Sequence, residues 1–245
     1  MSISTQTAAF TDKGLNPKTA VNEDSYLVAE NRGVFVVADG VGGADAGDVA
    51  SKTAVKTIEQ IINREAPSEN NIALAVEALI TAANREIFAA GKKKNTHMAS
   101  TIAMIAIAGN QAAVGHVGDS RVYVIRGGKI TQLTKDHSKL QGWLDKFKGK
   151  KVDAAGFKGS HIITKALGVK EAVDADILNV KLKAGDLFFL CSDGVSRYYS
   201  EADLVAASSR FPKDLNKMLK AIRQKCYSEG AMDNLTAIAV KVVSI

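Results

Sequence analysis

Four aspartates of the 245-residue sequence stand where an apolar, strand-like run stops or starts: Asp39, Asp119, Asp193 and Asp233. Three of them adjoin a glycine, and Asp233 is followed by an asparagine. In an antiparallel sheet the end of one strand lies beside the start of its neighbour, so the four carboxylates could meet at one rim. Carboxylates this close repel one another unless they are protonated or bridged by a cation. Because the sequence offers oxygen ligands without a Cys/His cluster, the pattern favours Mg²⁺ or Mn²⁺ over zinc.

An Asp-Gly pair is also a common turn signal, which gives a second interpretation of the same residues. A two-residue hairpin needs another strand directly after the turn. Asp39 and Asp193 are followed instead by segments that run into helical patterns, which favours the metal interpretation at both positions. For Asp119 the turn interpretation stays open, because the strand-like run 121–125 follows at once.

The composition is that of an ordinary globular protein, with 46% hydrophobic and 24% charged residues. No Ser/Gly-rich or low-complexity stretch divides the chain, so we expect residues 1–245 to form a single domain. The sequence starts without a basic and apolar leader, and its longest apolar run, 102–108, is too short to span a bilayer. We expect a cytoplasmic, monomeric protein with no membrane association.

The net charge of +6 admits a nucleic acid or another acidic partner. Part of the excess is local, in lysine-rich segments at 92–94 and 139–158, and a solvated face explains such lysines. Aromatic residues make up only 6% of the chain and are not interleaved with the lysines as a nucleic-acid groove requires. We therefore expect no nucleic-acid binding. Cys191 and Cys226 lack a CxxC partner, which favours a structural role for both.

The hydrophobic pattern predicts secondary structure along most of the chain. Alternating or continuous apolar runs predict strands at 5–11, 25–29, 33–38, 101–108, 111–117, 121–126, 129–133, 177–182, 186–191 and 235–243. Helical periodicity covers 46–64, 71–90, 201–208 and 212–229. Strands follow strands and helices come in pairs, which indicates an α+β protein rather than repeated βαβ units.

The glycine-rich segment 39–51 follows a strand and opens a helix, a position that also suits nucleotide binding. Its spacing does not match: a dinucleotide fingerprint starting at Gly40 would need a glycine where Asp45 stands, and no Gly-Lys-Ser/Thr follows. The glycines more plausibly let the backbone bend so that the Gly40 carbonyl faces a cation beside Asp39.

Eight short motifs follow one another along nearly the whole chain. They are Asn22-Glu-Asp-Ser25, Asp39-Gly-Val-Gly-Gly43 with Gly47 and Ala50-Ser51, Met98-Ala-Ser-Thr101, Gly118-Asp-Ser-Arg121, Leu133-Thr-Lys-Asp-His-Ser138, Ile163-Thr-Lys-Ala-Leu-Gly168, Cys191-Ser-Asp-Gly194 and Asp233-Asn234. In these motifs the chain resembles the metal-dependent protein phosphatases of the type 2C serine/threonine class, particularly their compact bacterial members. Each motif is weak alone, but eight in register are specific.

The resemblance implies an α+β fold, a four-layer α/β/β/α sandwich whose two central antiparallel sheets are flanked by helix pairs. It also implies two core Mg²⁺ or Mn²⁺ ions at one end of the sandwich and a weak third ion. Asp39 would bridge both core ions, and the Gly40 carbonyl would bind one of them. The other ligands would be Asp193 and Asp233 for the second core ion, Asp119 for the third, and Glu23 and Asp24 directly or through water.

The implied activity is hydrolysis of phosphoserine and phosphothreonine by a water that the two ions activate, with Asp39, Asp193 and Asp233 as the catalytic carboxylates. Phosphorylated protein substrates of a serine/threonine kinase would be the partners. The leaving alkoxide needs a proton, which His137, His116 or a metal-bound water could donate, although His116 fits a core histidine better. The alternative is a pseudophosphatase or regulatory phosphoprotein-binding module with the same fold.

The chain departs from the family pattern where the substrate phosphate is held. The usual phosphate-binding arginine is replaced by Thr19, and Lys18 beside it could supply charge but not a bidentate fork. Arg197 stands where the family has an aspartate that supports the third ion. We expect Arg197 to weaken that third site by charge repulsion and to approach the phosphate itself. The segment 139–160 is expected to form a variable flap beside the site.

Overall fold

The structure, a computed structural model, describes residues 3–41, 46–147, 157–159 and 161–245. Its strands are β1 (Ser4–Asp12), β2 (Asp24–Ala29), β3 (Val34–Val41), β4 (Ala99–Ser100), β5 (Ile102–Ala108), β6 (Gln111–Val117), β7 (Arg121–Arg126), β8 (Lys129–Gln132), β9 (Asp176–Lys181), β10 (Leu187–Cys191) and β11 (Leu235–Ser244). Its α-helices are α1 (Gly47–Arg64), α2 (Ile72–Lys94), α3 (Lys139–Asp145), α4 (Asp193–Ser196), α5 (Glu201–Arg210) and α6 (Leu215–Ser228), and a 3-10 turn covers Glu30–Arg32.

The strands form two antiparallel sheets. In the first sheet the order is β1-β11-β10-β7-β8, and in the second it is β2-β3-β5-β6-β9, with β4 paired to β3. Sequence neighbours such as β5 and β6 pair directly, whereas β1 and β11 bring the two ends of the described chain together. Antiparallel pairing places successive strand ends at shared edges, as the aspartate pattern requires.

Three apolar layers hold the sandwich together, and β3 shows how the sequence produces them. Val34, Val36 and Ala38 pack against α1 and α2, whereas Phe35 and Val37 pack between the two sheets. This alternation follows from the two-residue period of a strand. A third cluster joins the first sheet to α5 and α6. The predicted α+β fold with two central antiparallel sheets and flanking helices is confirmed.

Most predicted boundaries agree with the structure to within three residues, and the differences have local causes. Helix α2 continues past the predicted end at residue 90 to Lys94, where Asn95 adopts a left-handed conformation with φ of 49°. Helices α3 and α4 were not predicted, because one or two turns are too short to display helical periodicity. None of the helices within the described ranges combines the length and apolar character needed to cross a membrane. Within the predicted flap 139–160, residues 148–156 and 160 lie outside the described residues.

Candidate metal centre

Asp39 lies near the end of β3, directly opposite Asp24 of β2. Its backbone is fixed on both sides: the Asp39 N–H donates to Thr101 Oγ1 (3.0 Å), and the Thr101 N–H donates to the Asp39 carbonyl (2.8 Å). The Thr101 hydroxyl also lies 2.7 Å from Ser120 Oγ. Through this buried pair, the end of β3 is connected to the loop that carries Asp119.

Asp193 starts α4 directly after β10, and a buried serine links this region to Asp24. Ser192 Oγ donates to Asp24 Oδ2 (2.7 Å) and accepts from the Thr236 N–H (3.1 Å). The first sheet, which carries Ser192 beside its strand β10, is thereby connected to β2 of the second sheet. Asp24 and Asp193 are consequently held at the same end of the sandwich.

Asp233 approaches Asp193 because glycine occupies position 194. A Cβ at Gly194 would lie 1.9 Å from the Asn234 carbonyl oxygen and 3.2 Å from Asp233 Cβ. Asn234 Oδ1 in turn accepts from the Glu23 N–H (2.8 Å), so Glu23 is fixed at the same place. Glycine at 194 is therefore required by the close approach of two backbone segments.

Gly40 is also packed against backbone. A Cβ there would lie 2.1 Å from the Gly47 carbonyl oxygen, and the Gly40 N–H donates to the Glu23 carbonyl (3.1 Å). The start of α1 and the loop before β2 therefore both lie against the end of β3. The glycines at 42 and 43 lie outside the described residues. The role expected for the Gly40 carbonyl as a ligand stays a prediction.

The electrostatics of Asp39 reflect this crowding. Burial raises the pKa of the Asp39 carboxyl well above its ordinary value. Four neighbouring carboxylates raise the same pKa further: Asp24, Asp193, Asp119 and Asp233. Ionisation of Asp39 is thus opposed both by loss of hydration and by like charges, which a bound cation would offset.

Asp24 is buried more completely than its hydrogen bonds can compensate. Burial raises the pKa of Asp24 to about 7, although hydrogen bonds from Thr236 and Ser192 oppose the increase. Its Oδ1 atom is buried and has no hydrogen-bond partner among the described residues. An unpaired buried acceptor is unusual in a native protein and suits a cation or an ordered water beside it.

The pKa values of the remaining acidic residues are also raised. Burial, followed by the charges of Asp193 and Asp136, raises the pKa of Asp119 to about 7. Burial also raises the pKa values of Asp233 and Glu23. The charges of these acidic residues act on one another: Asp24, Asp193, Asp119 and Asp233 act on Asp39, and Asp233 acts on Glu23. Their metal-binding atoms would be carboxylate oxygens, so the residues present fit hard divalent cations such as Mg²⁺ and Mn²⁺.

The two basic residues expected at the phosphate site have different positions. Arg197 lies beside the aspartates: its Nη2 is 2.5 Å from Asp193 Oδ2, and its Nη1 is 3.4 Å from Asp233 Oδ2. Lys18 lies in the exposed loop between β1 and β2, where its backbone N–H donates to Asn16 Oδ1 (3.0 Å). Among the described contacts, none joins the Lys18 side chain to an acidic residue of the centre.

A cavity of 390 Å³ opens beside the aspartates. Its lining comprises Asp119, Arg121, Asp136, Ser138, Leu140, His161, Asp193, Ser196 and Arg197. Arg121 was not foreseen at the site; its Nε lies 2.9 Å from Asp136 Oδ1 and its Nη2 lies 2.6 Å from Asp136 Oδ2. The motif Gly118-Asp-Ser-Arg121, which places Arg121 close to Asp119 in sequence, was the available signal. The cavity thus offers two guanidinium groups beside the acidic centre.

The histidines proposed as proton donors form a separate cluster with Asp176. His137 Nδ1 accepts from the Gly118 N–H (3.1 Å), so in the neutral ring Nε2 carries the proton and faces Asp176 Oδ2 at 3.2 Å. The His116 ring stacks on His137 at 4.8 Å and is buried, with neither nitrogen hydrogen-bonded within the described part of the chain. Burial lowers the pKa of His116 to about 4. His116 therefore lies in the core, as the sequence favoured, but its two ring nitrogens are unpaired among the described residues. The Nε2 proton makes His137 unsuitable as a metal ligand.

The chain was compared with known families and structures. A family model described as Protein phosphatase 2C matches residues 17–238. The serine/threonine phosphatase stp of Listeria innocua is 32% identical over 234 residues, covering 90% of this chain and 90% of the relative.

Solved structures agree with this assignment. PppA, described as a key regulatory component of the T6SS in Pseudomonas aeruginosa, is 29% identical with a TM-score of 0.84, covering 98% of this chain and 99% of its own. The catalytic domain of the serine threonine protein phosphatase PstP in complex with two manganese ions is 28% identical with a TM-score of 0.87, covering 99% of this chain and 100% of its own. The chain belongs to the protein phosphatase 2C family of metal-dependent serine/threonine phosphatases.

Proposed function

We propose that this chain hydrolyses phosphoserine and phosphothreonine esters of phosphorylated proteins at the acidic end of its β-sandwich. The observation that carries the proposal is the convergence of Asp39, Asp193 and Asp233 from different strand ends, with pKa values of Asp39 and Asp233 raised by burial and by neighbouring carboxylates. Such a cluster is unfavourable without cations. Its persistence in a folded protein supports a metal-dependent reaction.

The ligand assignment follows from the residues that the fold brings together. Asp39, Gly40, Asp193 and Asp233 would hold two core Mg²⁺ or Mn²⁺ ions, and Asp119 would hold a weaker third. Glu23 and Asp24 would complete the shell directly or through water. Bound divalent cations acidify a water for attack on phosphorus and offset charge on the phosphoryl oxygens. The PstP structure with two manganese ions supports two core positions.

The cavity beside the aspartates supports binding of the phosphate. Arg197 lies on its wall with a half-exposed side chain, and Arg121 also lines it, in an ion pair with Asp136. A guanidinium can donate two parallel hydrogen bonds to a phosphate, which makes Arg197 the stronger candidate for the place of the missing family arginine. Lys18 remains a second candidate. The substrates are proposed to be proteins that a serine/threonine kinase phosphorylates.

A pseudophosphatase is the competing proposal, favoured by one observation: Arg197 pairs with two of the proposed metal ligands. The two proposals are separated by hydrolysis of an aryl phosphate and of a phosphothreonine peptide, with Mn²⁺ and with chelator. We expect turnover that requires Mn²⁺ and is lost in Asp193→Asn. The control Asp174→Asn neutralises an aspartate whose side chain is 97% exposed, and it should retain turnover. Tight Mn²⁺ binding without turnover on either substrate would favour the pseudophosphatase.

A further inference from the structure

Arg197 contacts the acidic centre from the end of α4. Asp193 and Arg197 are separated by four residues and lie on one side of the same helical turn, where the Arg197 N–H donates to the Asp193 carbonyl (2.8 Å). Asp233 reaches the guanidinium from the segment that precedes β11. The guanidinium therefore joins two carboxylates, one from α4 and one from the segment before β11.

The guanidinium contacts two of the carboxylates that are proposed to bind a metal ion. Both ion pairs use the Oδ2 atom of the aspartate. A divalent ion bound to the same carboxylates would place two or more positive charges beside the guanidinium, which would be repelled over a distance of a few ångströms. The contacts in the structure and full metal loading are therefore competing arrangements of the same carboxylates.

Arg197 borders a cavity that could hold its side chain once the two ion pairs are broken. The Arg197 side chain is 45% exposed, and it lies on the wall of the 390 Å³ cavity with Ser196 and Arg121. Rotation into this cavity would move the guanidinium away from the two aspartates. It would also place the guanidinium where an incoming phosphate has been proposed to bind.

We propose that Arg197 is an internal counter-ion that neutralises Asp193 and Asp233 in the metal-free protein and swings into the cavity when divalent cations bind. The inference rests on the proposed function, because it assumes that those cations bind these two aspartates. It makes the substrate-binding guanidinium available only after metal loading. It also has a specific signature: Arg197 stabilises the metal-free protein and weakens its affinity for metal.

The test combines calorimetric titration with Mn²⁺ and thermal unfolding in chelator. Arg197→Ala should bind Mn²⁺ roughly three- to tenfold more tightly than the wild type, as loss of two partly exposed ion pairs would allow. In chelator the same variant should melt about 2–4 °C lower. Arg197→Lys, which keeps the charge without the fork, should lie between the two. The control Arg85→Ala removes one exposed positive charge from α2 and should change neither value.

The outcomes separate this inference from the function on which it rests. Unchanged or weaker Mn²⁺ affinity in Arg197→Ala, with normal binding by the wild type, would overturn the counter-ion role alone. If Arg197 had only a structural role, Arg197→Ala would lower both Mn²⁺ affinity and stability. The counter-ion role predicts a higher Mn²⁺ affinity instead. Absence of Mn²⁺ binding by the wild type, or binding unaffected by Asp193→Asn, would overturn the metal centre and the counter-ion together.

Discussion

The acidic centre and the histidine cluster both contain titratable side chains close to strand ends. The two regions differ in the hydrogen-bond partners and charges around those side chains. In the histidine cluster, His137 is oriented by the Gly118 N–H on one nitrogen and by Asp176 on the other. In the acidic centre, Asp39 and Asp24 are buried among further carboxylates, and Asp24 Oδ1 has no partner among the described residues. Both ring nitrogens of His137 are thus paired, although those of His116 have no partner among the described residues, whereas the carboxylates of the acidic centre require positive charge.

The difference shows why residue type alone does not identify a metal site. Two imidazoles and a carboxylate lie within 4.8 Å of one another at His116, His137 and Asp176, which resembles a ligand set for a transition metal. The hydrogen bond from Gly118 uses the free lone pair of His137 and leaves a proton on the nitrogen nearest Asp176. The neighbouring hydrogen bonds, rather than the composition of a cluster, decide which of the two regions can accept a cation.

Removing one carboxylate from each region tests whether only the acidic centre needs a cation for activity. Asp39→Asn should lower kcat/KM by at least about 100-fold, because even changes in groups that only support metal ligands have effects of 10- to 100-fold. Asp176→Asn makes the same chemical change in the histidine cluster and should lower kcat/KM by less than about tenfold. Both are measured by Mn²⁺-dependent hydrolysis of a phosphothreonine peptide. Equal losses in the two variants would show that the regions do not differ in this way.

Much of this arrangement could be predicted from the sequence, because it depends on local patterns. The strand β6 (Gln111–Val117) was predicted at its observed bounds, since it is a continuous apolar run between turn residues. The convergence of the aspartates followed from their places at strand ends. Glu23 and Asp24, in contrast, were expected at the site only because of the family resemblance.

The parts that could not be predicted depend on contacts between distant segments or on very short elements. Helix α4 has four residues, so its periodicity could not reveal that Arg197 lies one turn from Asp193. The contact with Asp233 joins positions far apart in sequence. The pairing of Arg121 with Asp136, and the stacking of His116 on His137, also depend on how loops cross at the sheet edges.

The two regions should also respond to pH with opposite signs. The pKa values of Asp24 and Asp119 are both raised to about 7 by burial, from an ordinary value of 3.8. Raised acidic pKa values mean that the folded state holds protons that the unfolded state releases, so this contribution to stability is lost as the pH rises toward and through 7. In chelator the melting temperature should therefore fall by several degrees between pH 5 and pH 8, and saturating Mn²⁺ should remove the fall.

Two matched variants test whether Asp24 causes this pH dependence. Asp24→Asn imitates the protonated carboxyl, so it should flatten the decrease seen in chelator and raise stability at pH 8. Asp174→Asn, at an exposed position, should leave the slope as in the wild type. A decrease of the same steepness in Asp24→Asn would show that Asp24 does not contribute to it.

The smallest expected effect tests the histidine cluster. Burial lowers the pKa of His116 from 6.5 to about 4, so its contribution to stability is present above pH 6.5 and is lost as the pH falls toward 4. His116→Leu replaces the ring with an apolar side chain that cannot be protonated. The melting temperature of this variant, relative to the wild type, should rise by roughly 4–8 °C between pH 7 and pH 5. Its Mn²⁺ affinity at pH 7 should be unchanged, because His116 belongs to the region that needs no cation. Equal changes in melting temperature in the two proteins on acidification would mean that His116 does not titrate as its burial requires.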